Sequence, residues 1–301
     1  MPLIEYVPKR FNKSSLAIID KANEIIAEYQ AQGFVLTLRQ LYYQFVARDL
    51  IPNRQTEYKR LGSIINDGRL AGLIDWYAIE DRTRNVRKNP HFESPQEIIK
   101  AAADQYQLDL WEGQNVRPEV WIEKDALIGV IESVCIENDI PYFACRGYSS
   151  QSEQWRAGVR GEKYGAAGQK LVILHLGDHD PSGIDMTRDN LDRLTMFSEG
   201  NVEVKRLALN MDQVRKYNPP PNPAKMTDSR FNSYEDKYGN ESWELDALDP
   251  QMIVGLVRKA IKSLRNDDIY QEVYARQEKE RELLLSVSDN WDGVVETLGD
   301  N

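Results

Sequence analysis

Apolar positions along the first ninety residues recur at helical spacing. Leu16, Ile19, Ala22, Ile25 and Ile26 form one stripe and predict an amphipathic helix over residues 14–31. A second helix is predicted over 37–50, with Thr37 as its N-cap, and a third over 56–71. Trp76-Tyr77-Ala78-Ile79 reads as a short strand. Short helices followed by an extended segment suggest a winged helix-turn-helix. Asn89-Pro90 and Ser94-Pro95 then interrupt the pattern, and residues 95–108 predict a helix linking two modules.

From residue 118 the pattern changes to short apolar runs alternating with amphipathic segments. Strands are predicted at 120–122, 141–145, 171–176 and 202–208, and helices at 126–138, 151–159, 183–196 and 211–217. This alternation predicts a parallel sheet covered by helices on both faces. Residues 218–223 form a proline-rich, stiff loop, and residues 224–240 are polar and unassigned. Closing helices are predicted at 250–264 and 267–285. The expected organisation is a mostly helical module over 1–94, a linker helix region over 95–117, an α/β module over 118–285 and an acidic, frayed tail over 286–301.

The chain has 301 residues, 41% of them hydrophobic and 29% charged, enough to bury two cores. No apolar run is long enough to span a membrane, and the N-terminus has no signal-peptide core. A cytoplasmic protein without a membrane partner is expected. Cys135 and Cys145 are expected as small buried apolar residues, and with His91, His175 and His179 they lack zinc-finger spacing. The net charge of −10 hides an asymmetry: residues 1–90 carry 14 Lys and Arg against 10 Asp and Glu, whereas residues 241–301 carry 7 against 14. On the basic front, Arg54, Lys59, Arg60, Arg69, Arg82, Arg84, Arg87 and Lys88 are candidate phosphate contacts. A solvated helix surface accounts for the same pattern.

The candidate chemistry lies where two apolar runs end in acids. Leu171–Leu176 runs into Gly177-Asp178-His179-Asp180-Pro181-Ser182-Gly183, and Val120-Trp121-Ile122 runs into Glu123-Lys124-Asp125. Side chains two apart in extended backbone point the same way, so Asp178 and Asp180 are expected together and His179 away from them. Ligands of open α/β sheets gather at the carboxyl ends of strands. If the strands are neighbours, Glu123, Asp178 and Asp180 converge, and their mutual repulsion calls for a cation. All-oxygen ligation suits Mg²⁺. Ser182 and Asp125 are expected to cap the following helices, Lys124 to contact phosphate or solvent, and Asp185 to be an outer acid or an exposed helix residue.

Between Thr37 and Phe45 a helical wheel of ~100° per residue places Leu38, Leu41, Tyr42, Phe45 and Val46 on one face. Tyr43 and Arg39 fall at or beyond its edge. Tyr42 is therefore expected to pack, and Tyr43 to expose its hydroxyl beside Arg39. A free phenol titrates near 10, and a neighbouring guanidinium favours the phenolate and binds phosphate. A surface tyrosine beside an arginine without any function fits the wheel equally well.

Arg39-Gln40-Leu41-Tyr42-Tyr43 resembles the tyrosine motif of the topoisomerase VI A subunit and the related meiotic double-strand-break proteins. Ile122-Glu123-Lys124-Asp125-Ala126 resembles the glutamate motif that opens their Toprim domain, and Arg146-Gly147-Tyr148 its glycine turn. Gly177–Ile184 resembles its Asp-x-Asp-Pro-x-Gly motif, and Glu244-Leu245-Asp246-Ala247-Leu248 a downstream segment. The motifs occur in the family's order over residues 35–265. The resemblance implies a winged-helix domain followed by a Toprim, Rossmann-like domain in a homodimer on double-stranded DNA. It implies Tyr43 as nucleophile, Arg39 as its assistant, and Mg²⁺ on Glu123, Asp178 and Asp180. In that family the tyrosine of one protomer meets the metal site of the other. The chain is shorter than a full A subunit, and Gly165–Lys170 fails the phosphate-loop spacing, so an ATPase partner would be a separate protein. Two other readings remain: a Toprim nuclease that hydrolyses DNA with metal-activated water, and a non-catalytic DNA-binding protein of the same fold.

Overall fold

The computed structural model describes residues 3–80, 89 and 91–299. Arg82, Arg84, Arg87 and Lys88 lie outside the described residues. The front module packs three helices, α1 (Lys13–Gln30), α2 (Leu38–Ala47) and α3 (Gln55–Leu70). On α1 the buried stripe is Ile19, Ala22, Ile25, Ile26 and Tyr29, whereas Leu16 is exposed. Thr37 caps α2 in a reciprocal box with Gln40, which fixes the start of the helix carrying Arg39 and Tyr43.

The strand predicted at 76–79 does not form. Asp75 accepts the Tyr77 N–H at 2.8 Å and its carbonyl accepts that of Ala78, so the segment turns instead of extending. Only Ile79 pairs, in a single parallel bridge to Leu36. Arg69 closes this turn from within by donating to the carbonyls of Trp76 and Ile79.

After α4 (Pro95–Gln105) the chain enters the α/β module. Its elements are β1 (Val116–Ile122), a 3₁₀ turn Asp125–Leu127, α5 (Ile128–Glu137), β2 (Tyr142–Ala144), α6 (Gln151–Ala166), β3 (Lys170–Leu176), α7 (Pro181–Phe197), β4 (Val202–Ala208) and α8 (Met211–Tyr217). The four strands are parallel in the order β2-β1-β3-β4, a mixed α/β fold with a Rossmann-like parallel core. Alternate side chains fill the two faces. Val120, Ile122, Val172 and Leu174 pack with α5, while Trp121, Leu171 and Ile173 pack with Ala157 of α6 and Leu194 of α7. The chain leaves β1 toward β2 on one side and β3 toward β4 on the other. This reversal opens a crevice at the carboxyl ends of β1 and β3.

Beyond α8, the two-residue strands β5 (Asn222–Pro223) and β6 (Glu241–Ser242) pair antiparallel around α9 (Phe231–Tyr238). A 3₁₀ turn, Leu245–Ala247, leads to α10 (Pro250–Leu264), α11 (Asp267–Asp289) and α12 (Trp291–Gly299). The tail expected to fray is therefore helical as far as residue 299. The linker helix α4 ends early, where Tyr106 becomes extended, and lies on α11. There Gln96 donates to Ser288 and Arg281 to Tyr106, each through a carbonyl at 2.8 Å. No helix among the described residues is long and apolar enough to cross a membrane.

The two modules share side chains. Ala247 is buried in the core of α1, α2 and α3. The Tyr29 hydroxyl donates to Asp249 at 2.7 Å, and Asn53 donates to the Asn222 side chain at 2.8 Å.

Both cysteines are buried, and burial pushes the Cys135 thiol up to about 12 and the Cys145 thiol up to about 11. At mildly alkaline pH neither is a thiolate, the form that reacts. An aromatic disulfide reagent should therefore leave the native protein unmodified while titrating both thiols in denaturant. Prompt reaction of either thiol in the native protein would contradict this packing.

Candidate active site

The β1–β3 register pairs Ile122 with Leu176, so Glu123 and Asp178 leave the sheet side by side. The Glu123 carboxylate accepts the Asp178 N–H at 2.8 Å. Burial, aided by Asp178, pushes Glu123 up to about 7. Asp180 keeps an extended backbone, but its side chain turns to the helix that follows. It caps α7, accepting the Gly183 N–H at 2.6 Å and the Ser182 hydroxyl at 2.9 Å, so Ser182 is not the cap. A Cβ on Gly183 would sit 2.2 Å from the Asp178 carbonyl, so only glycine lets α7 start this close to the acidic turn. His179 points away into a cage of Tyr234, Tyr238 and Trp243. Asp125 does not cap a helix. It opens the 3₁₀ turn and pairs with Arg146 at 3.1 Å. Asp185 belongs to an outer network with Arg188, Arg230 and Tyr148.

Lys124 is the hub. Its Nζ lies 2.8 Å from Asp178, 2.8 Å from Asp246 and 3.0 Å from Glu244. Burial works against its charge, but Asp178, Asp246 and Glu244 together hold the ammonium above its ordinary value. Arg39 of α2 reaches the same acids from the front module, pairing with Glu244 and approaching Asp246 at 3.3 Å. Burial pushes Glu244 up, yet Lys124 and Arg39 outweigh it and keep this carboxyl below its ordinary value.

Tyr43 does not point to open solvent as the wheel suggests. Its ring is only 3% exposed, as buried as that of Tyr42, because the rear module covers this edge of α2. Tyr42 is anchored by its hydroxyl to Asn53 and to the backbone of Arg54. The Tyr43 hydroxyl interacts with Glu244 and Asn222. Burial and the Glu244 carboxylate push this phenol well above its ordinary value, and Arg39 offsets only part of the shift. A cavity of about 300 Å³ lies against it, lined by residues including Arg39, Tyr43, Arg54, Asn222 and Glu244. Arg39, Tyr43, Lys124 and Asp178 thus meet within one chain, whereas the resemblance implies a tyrosine from the partner.

Among the described residues no three His, Cys, Asp or Glu side chains gather in an arrangement able to hold a metal ion. The expected set of three carboxylates is therefore not assembled. Asp178 is taken by Lys124 and by the Leu245 N–H at 2.8 Å. Glu123 and Asp180 each keep one oxygen without a hydrogen-bond partner among the described residues, and Asp180 is near enough to raise the Glu123 pKa. Two such oxygens fit Mg²⁺, which binds through one or two carboxylates and retains waters.

Of the candidate phosphate contacts, Arg54 lines the cavity, and Lys59 and Arg60 are exposed on α3, with Arg60 paired to Glu57. Arg69 is spent on the 76–79 turn. Sequence reading missed Arg206 of β4. It donates to the carbonyls of Gly177, Asp178, Gly183 and Leu209 and to the Thr187 hydroxyl, clamping the acidic turn to α7. Nothing in the pattern of β4 marks that residue. Glu244 and Asp246 had a signal: acids two apart after a short strand, the same spacing as Asp178 and Asp180.

Comparison of the chain with protein-family models, with curated proteins and with solved structures returns no match in any of the three.

Removing the hub tests the electrostatics. Lys124→Met leaves Asp178, Glu244 and Asp246 without their shared ammonium, and breaking a buried ion pair costs about 3–5 kcal/mol. The sign follows from linkage. In the wild type the depressed Glu244 pKa contributes stability above the unfolded carboxyl value and loses it as pH falls. Without Lys124 that contribution at Glu244 shrinks, so the variant's deficit is full above the unfolded carboxyl value and narrows as pH falls. Denaturant unfolding should show a larger deficit at neutral than at acidic pH. An equal deficit at both would overturn the hub.

Proposed function

We propose that this chain is a DNA-cleaving transesterase of the topoisomerase VI A-subunit type, with a winged-helix-like front and a Toprim-like rear module. The single observation that carries the reading is the cleft itself. A phenol, a guanidinium, an ammonium and the acids at the β1–β3 switch point lie together, on the residues that the ordered motifs single out.

In this reading DNA lies along the basic front, and Arg39 and Lys124 hold the scissile phosphate. Tyr43 Oη forms a bond to phosphorus as the bond to the leaving sugar oxygen breaks. The phenolic proton passes to solvent, and the leaving oxygen gains one from solvent. One phosphoester replaces another, so rejoining needs no ATP. Glu123 and Asp180 would hold Mg²⁺, which supplies charge neutralisation at the phosphate and the leaving oxygen. Arg206 keeps the acidic turn and the start of α7 in register with Glu123. Action as a homodimer, and an ATPase partner for strand passage, belong to the same proposal.

The burial and raised pKa of Tyr43 favour a second reading, hydrolysis by metal-activated water with Tyr43 as a structural residue. Incubation with supercoiled plasmid and Mg²⁺, followed by denaturant and protease, separates the two. Transesterification leaves ends blocked by peptide, and Tyr43→Phe should lower their yield by at least about a thousandfold, as expected for loss of a nucleophile. Cutting by Tyr43→Phe at the wild-type rate, with free ends, would replace the proposal by hydrolysis. Chelation of Mg²⁺ should abolish cutting under either reading.

A further inference from the structure

One carboxylate pairs with both cations that the proposed reaction assigns to the scissile phosphate. Glu244 pairs with the Arg39 guanidinium, lies 3.0 Å from Lys124 Nζ and interacts with the Tyr43 hydroxyl. Asp246, two residues on, approaches Arg39 Nε at 3.3 Å and Lys124 Nζ at 2.8 Å. Guanidinium and ammonium groups read carboxylates and phosphates through the same charge-assisted hydrogen bonds. The two acids therefore occupy the donors that a phosphodiester would use.

Their position in the fold suits displacement. Glu244 precedes and Asp246 lies within a 3₁₀ turn, between the two-residue strand β6 and α10. The Glu244 side chain is 25% exposed and can swing outward while Leu245 and Ala247 of the turn stay buried. Asp246 is 2% exposed, and its Oδ1 has no hydrogen-bond partner, so the closed arrangement leaves a buried acceptor unsatisfied. The cavity lined by Arg39, Arg54 and Asn222 opens beside Glu244 and gives a backbone phosphate a way in.

We propose that Glu244 and Asp246 are an internal substitute for a DNA phosphodiester, masking Arg39, Lys124 and Tyr43 until a DNA backbone displaces them. The masking of Tyr43 as nucleophile rests on the transesterase reading; the masking of the two cations does not. Displacement hands Arg39 and Lys124 to the phosphate and takes the Glu244 charge away from the Tyr43 phenol.

Glu244→Gln keeps the side-chain volume and removes its charge. Binding of a short fluorescent DNA duplex, without Mg²⁺, should tighten about tenfold, the factor worth roughly one charge-assisted hydrogen bond released. Affinity should also fall more steeply with salt, because more phosphates are neutralised. The yield of Tyr43-linked DNA should rise with it. Glu244→Ala, with melting temperatures recorded for both variants, keeps the test readable if one of them folds poorly. Unchanged affinity in a folded variant overturns the masking, even where wild-type Tyr43 forms the adduct. Weaker binding or less adduct at wild-type stability also overturns it and makes Glu244 part of the machinery. Tighter binding with no adduct from any variant upholds the masked phosphate site and sinks the transesterase reading.

Discussion

The arrangement depends on one ammonium. Lys124 Nζ sits among Asp178 at the sheet, and Glu244 and Asp246 on the following turn. Arg39 joins the same acids from the front helices. Taken singly, surface ion pairs such as the exposed Arg188–Asp192 pair contribute little, because water and salt screen them. The Lys124 cluster is different because Asp246 is wholly buried and each acid depends on the same cation. Apolar packing of Ala247 into the front core brings the modules together, and the charges then fix which residues meet.

This constraint explains why a tyrosine at the edge of a helix is buried. The wheel orders side chains around α2 but carries no information about what covers each edge. The acid turn of the second module covers it, and in doing so gives Tyr43 a carboxylate neighbour that opposes its ionisation. The phenol is thus held protonated in the closed arrangement. In the transesterase reading, activation comes from a change around Glu244 rather than from Arg39 alone.

Much of the scaffold was legible in the sequence because it is local. The βα alternation, the Thr37 cap and the adjacency of Glu123 and Asp178 follow from period, capping chemistry and strand ends. What was not legible depends on partners distant in sequence. Asp180 became a cap because Gly183 lets α7 begin immediately after the turn. The strand at 76–79 lost to an aspartate turn held by Arg69. α9 was unassigned because its buried residues are two aromatics, Phe231 and Tyr234, too few to set a period. The tail after 286 was read from its acidity, although Trp291, Val294, Val295 and Leu298 carry helical spacing. Arg206, which holds the acidic turn through backbone carbonyls, has no side-chain pattern to announce it.

The proposed transesterification is tested most directly by asking whether an atom of this chain bonds to DNA. Protein trapped on cleaved DNA with denaturant, then digested with nuclease and trypsin, yields the peptide of residues 40–48 for mass spectrometry. The expected result is that peptide carrying a nucleotide phosphate, with fragmentation placing it on Tyr43 and not on Tyr42. Recovery of the unmodified peptide alone, from reactions in which the DNA is cut to free ends, would contradict the account.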